Sequence, residues 1–449
     1  MKQLLCFFLF FTLAGHINPL PAQENTLDKY IREGFANNLV LQQKHISLEK
    51  ALYALKTAQS MYLPSVAFLF DYQTADGGRD IPLPLGDLLN GVYSTLNQLT
   101  SSNNFPKLSN ESINFLPKNF YDGKVRTTVP ILNTDIGYNK KIQEQQVTLQ
   151  GYEIEVYKRE LVKNIKTAYF NYLNALQAVT IYESTQQLAQ ESRRVNEKLL
   201  ENGKGLPAYI LRAASEVESI NAQITGAQQQ AENVKLYFNA LLNRDAHAAI
   251  DTGFSAVLSP LQDSSSVNGR EELRSVQQLI TLNETVLQMN KRFAVPKLNG
   301  FLDLGSQSQD WKFNGQSRYY MLGVQLSVPI FSGNRNNYKI KQSELEIKNT
   351  QLNKSVLIQQ LELSTGVARN NLSATYRTYQ SSLKQLEAAA SYFRLIDKGY
   401  KAGTNTFIET VDARNQLTTA QLSATINKYK VLIAATNLER ETASYPIQP

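Results

Sequence analysis

The sequence predicts a mainly α-helical chain with a membrane β-barrel portion, organised as two tandem repeats of a strand pair followed by a long helical hairpin. Three observations carry this reading. Two proline-free heptad runs each extend over nearly 70 residues, a pair of alternating segments precedes each run, and the two halves coincide at an offset of 200 positions.

The N-terminus comes first. MKQLLCFFLFFTLAGHINPLPA has one lysine, an apolar stretch from Leu4 to Ala14 and the small residue Ala22 before a polar sequence, the layout of a cleaved secretory signal. The only cysteine, Cys6, lies within it, so the exported chain is expected to have no disulfide, thiolate metal site or cysteine nucleophile. Loss of Lys2 leaves 45 basic and 39 acidic residues, a net of +6 without a basic block, so nucleic acid is not an expected partner. No later segment reaches the roughly 18 uninterrupted apolar residues of a membrane helix, so insertion in a bilayer must use strands.

Residues Thr26 to Met61 read as helices. From Pro64, the apolar positions Val66, Phe68, Phe70 and Tyr72 alternate with Ser65, Ala67, Leu69 and Asp71, and Tyr121, Val125 and Val129 alternate with Asp122, Lys124, Arg126 and Thr128. In the second half Leu298, Leu302 and Leu304, then Tyr320, Leu322, Val324 and Leu326, repeat the pattern. Period two over about 10 residues fits tilted membrane strands, with Phe68, Phe70, Tyr72, Phe120, Tyr121, Tyr319 and Tyr320 as the expected interfacial aromatics. Four strands cannot close a barrel, so a chain that inserts must associate with copies of itself, and a pore needs more than two. Between the first two strands lie about 33 residues with no counterpart in the second pair; Leu88, Leu89, Val92, Leu96 and Leu99 have helical spacing there.

The long runs, Thr134 to Asn202 and Asn336 to Ala402, carry Leu161, Ile165, Ala168, Tyr172 and Val179, and Leu372, Tyr376, Tyr379, Leu383 and Leu386, at heptad spacing. A helix of that length extends for about 100 Å, so an elongated protein is expected. Each run ends at a glycine break, GKGLPAYILRA at Gly203 to Ala213 and GTNTFIETVDA at Gly403 to Ala413, and returns as a second helix. Glu409 and Asp412 are three apart, on one face of the helix that follows. His45 and His247 lack companions at ligand spacing, and no nucleophile accompanies the two acids, so neither a metal, a cofactor nor an enzymatic activity is expected. On the residues alone an exported, elongated coiled-coil protein with a structural or adhesive role remains the rival reading.

TAYFNYLNA (Thr167 to Ala175), VPIF with its glycine (Val328 to Gly333) and GYKAGTNTFIETVDARNQLTTAQ (Gly399 to Gln421) resemble the TolC family of outer-membrane efflux channels at matching places in its repeat. The resemblance implies a homotrimer in the outer membrane of a Gram-negative bacterium, in contact with outer-membrane lipid. A trimeric twelve-stranded barrel would continue into an α-helical periplasmic tunnel, a passive exit duct of a tripartite efflux or type I secretion system. A periplasmic adaptor protein and an inner-membrane pump of RND or ABC type would be its partners. Glu409 and Asp412 match the acids that ring the tunnel entrance, Arg212 is the expected closed-state partner of a neighbouring acid, and the tips Gly203, Gly205, Leu206, Pro207, Gly403, Thr404, Asn405 and Thr406 are the expected adaptor contacts. Asn405 stands where some members have a basic residue, and the cysteine of lipid-anchored members is absent.

The expected organisation is a signal peptide (1–22), N-terminal periplasmic helices (23–62), a first barrel strand pair with its outer loop insertion (63–131), a first long hairpin (132–243) and an equatorial collar segment (244–270). The second repeat follows with its helices (271–295), barrel strand pair (296–331), long hairpin (332–443) and C-terminal end (444–449).

Overall fold

A computed structural model describes residues 26–116, 118–254 and 269–447; the expected signal peptide (1–22) and residues 255–268 of the expected collar segment lie outside the described residues. The elements run α1 (Thr26–Asn37), α2 (Leu39–Ser60), β1 (Ser65–Gln73), β2 (Asp80–Leu83), α3 (Leu85–Leu99), β3 (Glu111–Asn114), β4 (Phe120–Leu132), α4 (Thr134–Glu201) and α5 (Pro207–Leu241). The second half is α6 (Glu271–Lys291), β5 (Lys297–Gln309), β6 (Arg318–Ser327), α7 (Arg335–Lys401) and α8 (Phe407–Thr442). Two compact units result. One comprises described residues up to Leu48 with those of 149–277 and 351–449; the other comprises those of 49–148 and 278–350.

The second unit holds an antiparallel four-stranded sheet in the order β1-β4-β5-β6, which joins the strand pairs of the two repeats through β4 and β5. Register sets the faces. Phe68, Val125, Leu304 and Tyr320 lie in one row across the four strands, and Val66, Thr127, Leu302 and Leu322 in the next. The Val66, Phe68, Tyr320, Leu322, Val324 and Leu326 side chains of this face are exposed. The opposite face carries Asp122, Lys124, Arg126, Asp303 and Tyr319. Its charges satisfy one another sideways: Arg126 donates to both oxygens of the buried Asp303 at 2.7 and 2.6 Å, and Tyr319 donates to Asp122 at 2.7 Å, beside the Lys124–Asp122 pair.

The faces correct the expected aromatic girdle. Phe120 and Tyr319 fall on the polar face, one residue out of phase with Tyr121 and Tyr320. The aromatic cluster gathers instead at one end of the apolar face, where Trp311 stacks on Tyr72 (5.2 Å), Tyr121 (5.6 Å) and Phe70 (6.1 Å), with Phe313 against Tyr121 (4.5 Å). Trp311, in the β5–β6 turn, belongs to no alternating segment, so periodicity did not single it out.

In the first unit α4 packs against α1, α5 and α8. Leu161, Ile165, Ala168, Tyr169, Phe170 and Leu173 of α4 meet Tyr30 and Ile31 of α1, Phe238 of α5 and Leu242 just after it, and Leu432 of α8. The expected seam positions Leu161, Ile165, Ala168 and Ala175 are buried, whereas Tyr172 and Val179 are half-buried and Tyr169, Phe170 and Leu173 are buried beside the seam, because α4 is covered on more than one side here. The N-terminal helices break at Asn38, whose amide donates to the Leu241 carbonyl (3.0 Å) while its oxygen accepts from Leu41 N and Tyr157 Oη (3.0 Å each).

An ion-pair network fastens the C-terminal end to this unit. Arg159 clasps Glu271 (2.5 and 2.6 Å) and donates to the carbonyls of Ala443 and Tyr445 (3.0 Å each). Arg270, fully buried, reaches Glu272 (2.7 Å) and Glu441 (2.9 Å), and Arg440 reaches Glu160 (3.1 Å). Burial, the largest single influence, would raise the Glu271 carboxyl, but the Arg159 hydrogen bonds, a backbone bond and the charges of Arg159 and Arg274 together outweigh it and hold the group below the usual carboxylate range. Glu441 is likewise lowered: Ser364 and Arg270 overcome its desolvation. A depressed carboxylate stabilises the fold above its unfolded pKa, and that contribution is lost as pH falls through the folded value. The apparent melting temperature followed by circular dichroism should therefore fall steeply below about pH 4. Glu271→Gln should lower it at neutral pH and flatten the acid limb.

Candidate functional site

The two hairpin tips are built alike at the backbone and differently in side chains. Both long helices end on a glycine in the left-handed region, Gly203 (φ 71°) and Gly403 (φ 78°). Lys204 N donates to Leu199 O and Gly203 N to Leu200 O (2.8 and 2.9 Å); Thr404 N and Gly403 N do the same with Gly399 O and Tyr400 O (2.8 and 3.0 Å). This is the Schellman arrangement, in which glycine avoids the Cβ penalty of the turn. Gly205 has a separate reason: a Cβ there would lie 2.6 Å from the backbone nitrogen of Leu200.

The returning helices start differently. α5 begins with Pro207 at its first position, behind Leu206, which offers no side-chain cap. α8 begins with a capping box: Thr406 Oγ1 accepts from Glu409 N (3.3 Å), and Glu409 Oε2 accepts from Thr406 N (2.6 Å). The backbone bond from Thr406, then the Asn405 amide (3.3 Å) and the Thr406 hydroxyl (3.1 Å), hold the Glu409 carboxyl below its ordinary value. Glu409 is therefore an ionised cap as well as an exposed acid. Asp412, one turn on and exposed, accepts from Gln416 (2.7 Å) on its own helix.

Arg212, Asp412's counterpart in the first repeat, is exposed, and among the described residues it has no hydrogen-bond or ion-pair partner within the chain. It borders a polar groove of about 350 Å³ between α4, α5 and α8, with Tyr182, Glu216, Asn415 and Thr419. Tyr209, counterpart of Glu409, packs its ring on Phe407 (5.2 Å), which also meets Tyr400 (6.2 Å). Tyr400 donates to Asn196 (2.8 Å).

One contact here escaped sequence reasoning. Arg414 of α8 meets Glu216 of α5 at 2.5 Å, with side chains 2% and 10% exposed, and donates to the Leu188 carbonyl of α4 (3.3 Å). The two groups meet as charges off the line of a hydrogen bond, so both Glu216 oxygens and Arg414 Nε lack a directional partner. A bond between Thr185 and Thr418 (3.0 Å) lies close by in the helical stack. Repeat symmetry concealed the pair, since Ala214 and Gln416 stand at the matching positions.

The four-stranded sheet exposes an apolar face, and no helix among the described residues is long and apolar enough to cross a membrane. Residues 269–443 match the family described as outer membrane efflux protein. The chain is 23% identical to the outer membrane protein TolC of Escherichia coli K12 over 98% of its own length and 86% of that protein. In fold it is similar to CusC (TM-score 0.74, 14% identity, 93% of this chain and 92% of that one). It is similarly close to the open-state MtrE outer membrane channel of Neisseria gonorrhoeae (TM-score 0.73, 15% identity, 93% and 89%). Residues 269–443 thus match a family of channels rather than enzymes, and this match, with the likeness to TolC along the chain, supports an outer-membrane exit duct.

Removing one member of a buried ion pair strands the other charge at a cost of about 3–5 kcal/mol, whereas replacing both with apolar groups is often neutral. Arg414→Met should therefore destabilise the helical unit in thermal melts, and Arg414→Met/Glu216→Leu should recover most of the loss. Thr406→Ala should cost only about 1 kcal/mol through the lost cap.

Proposed function

We propose that three copies of this chain form a passive duct whose barrel is made by the strand pairs of 63–131 and 296–331 and whose periplasmic tunnel is made by the hairpins of 132–243 and 332–443. The N-terminal helices of 23–62 and the equatorial segment 244–270, of which 255–268 lie outside the described residues, would make a collar around it, with 271–295 as the helices of the second repeat and 444–449 as the C-terminal end. The observation that carries the reading is the open sheet. Among the described residues β1 and β6 each have one unpaired edge, and the face they border is apolar and exposed. In lipid those edges need partners, and β1 of one copy against β6 of the next supplies them. Two copies would give eight strands with a filled interior; three give twelve and leave a lumen. Along α7 the exposed side chains Tyr338, Leu345, Leu352, Val356, Leu363 and Val367 keep heptad spacing, a seam for a helix of another copy.

At the far end Glu409 and Asp412 from three copies would place six carboxylates around the entrance, attracting cations and resisting closure. Arg212, without a hydrogen-bond or ion-pair partner among the described residues, is available to a neighbour's acid in the closed state. The tips from Gly203 to Pro207 and Gly403 to Thr406 present exposed backbone and the exposed Leu206 to a periplasmic adaptor, which links the duct to an inner-membrane pump of RND or ABC type. The duct itself catalyses nothing, and the pump supplies the energy.

Single-channel recording in planar bilayers tests this. Purified protein should give discrete pores whose block by divalent cations weakens in Glu409→Gln/Asp412→Asn, a pair that keeps the capping box. Pores indifferent to both changes would remove the acids from the entrance, and absence of pores would remove the duct. Arg212→Ala should raise conductance at low salt; unchanged conductance would discard its role in closure.

A further inference from the structure

The residues between β1 and β4 form a built element that the duct does not require. β2 and β3 pair as a two-stranded ribbon, and the chain between them folds as α3 with an extended return. Three asparagines fix that return. The Asn90 amide exchanges two bonds with the backbone of Leu108 (2.8 Å each) and Asn97 two with Phe105 (2.8 and 3.2 Å), while Asn110 accepts from Asp87 N (3.1 Å) and donates to its carboxylate (2.9 Å). Tyr93 packs on Phe105 (5.6 Å). All of this lies on one flank of the helix.

The other flank is apolar and bare. Leu85, Leu88, Val92 and Leu99 follow spacings of three, four and seven, an a/d seam, yet Leu88, Val92 and Leu99 are 67%, 53% and 77% exposed. We propose that this seam packs against the α3 seams of the other copies, closing an apolar cap over the outer mouth of the duct; the proposal rests on the trimeric reading above.

Two features choose the occupant. α3 starts 12 residues after β1, the edge strand that must pair with another copy, so it is tethered at a boundary between subunits. Its charge also fits self-contact. Asp87, in the first turn and already bonded to Asn110, is the only charged residue of the helix, whereas a helix lying on an anionic lipid surface carries Lys and Arg on its polar face. Heptad spacing, finally, is the pattern that another helix reads and a lipid surface does not need.

Because Cys6 is the only cysteine and lies in the signal, a single introduced thiol reports on its own. Leu88→Cys, Val92→Cys and Leu99→Cys, each oxidised in the purified detergent-extracted protein, should give covalent dimers, reaching about two of every three chains at the best position, the limit for one thiol per copy around a threefold axis. Ser94→Cys, on the opposite flank, should give none. Leu88→Asp/Val92→Asp should open the cap and raise single-channel conductance. Stripe cysteines that stay unlinked in trimers and react freely with a membrane-impermeant maleimide would overturn the cap in favour of a water-exposed face. Unlinked but maleimide-protected cysteines would overturn it in favour of lipid. Native mass of the same samples separates the failures: trimers without cross-links remove only the cap, and the absence of trimers removes the duct reading with it.

Discussion

The rest of the molecule is arranged around a sheet that cannot end where the chain ends. Four antiparallel strands expose an apolar face and leave one hydrogen-bonding edge of β1 and one of β6 without partners in the chain. Water can solvate such edges and lipid cannot, each unpaired backbone group costing several kcal/mol in hydrocarbon. Membrane insertion and self-association are thus one requirement seen from two sides. The polar face is compatible with a lumen because its charges are spent on each other: Asp303 is buried under the Arg126 fork, and Asp122 is held by Lys124 and Tyr319.

The hairpin tips show how a duplicated sequence keeps its backbone and changes its chemistry. Gly203 and Gly403 close the same turn, yet one returning helix starts on proline and the other on a capping box that occupies Glu409. The divergence also provides an internal fastening. Glu216 from the first repeat and Arg414 from the second meet, nearly buried, between α5 and α8, so the two returning helices are joined about two to three turns from the tips. Their contact is close but poorly directed, which makes it a strong coupling without an ideal geometry.

Much of this was legible in the sequence because it depends on period. Heptads gave the long helices, alternation gave the four strands and both of their faces, and the glycines at an offset of 200 gave the tips. Parity was less secure: Phe120 and Tyr319 looked like girdle aromatics until register put them on the polar face, one residue from Tyr121 and Tyr320. What period cannot carry was missed. Trp311 acts from a turn, β2 and β3 are four residues each, and Arg414 with Glu216 read as ordinary helical surface charges because nothing local links residues about 200 apart. Depth in the core was misjudged where α4 is covered on several sides, since a single seam predicts Tyr172 and the packing buries Tyr169. For the acids, sequence supplied the position, and only the geometry revealed that Glu409 is also the cap of its helix.

The most direct test of the central claim is the native mass of the detergent-extracted protein. If the unpaired edges of β1 and β6 are satisfied by other copies around a lumen, the dominant species has the mass of three processed chains, and it persists on dilution in detergent. A monomer, or a dimer closing eight strands around a filled interior, would contradict the account.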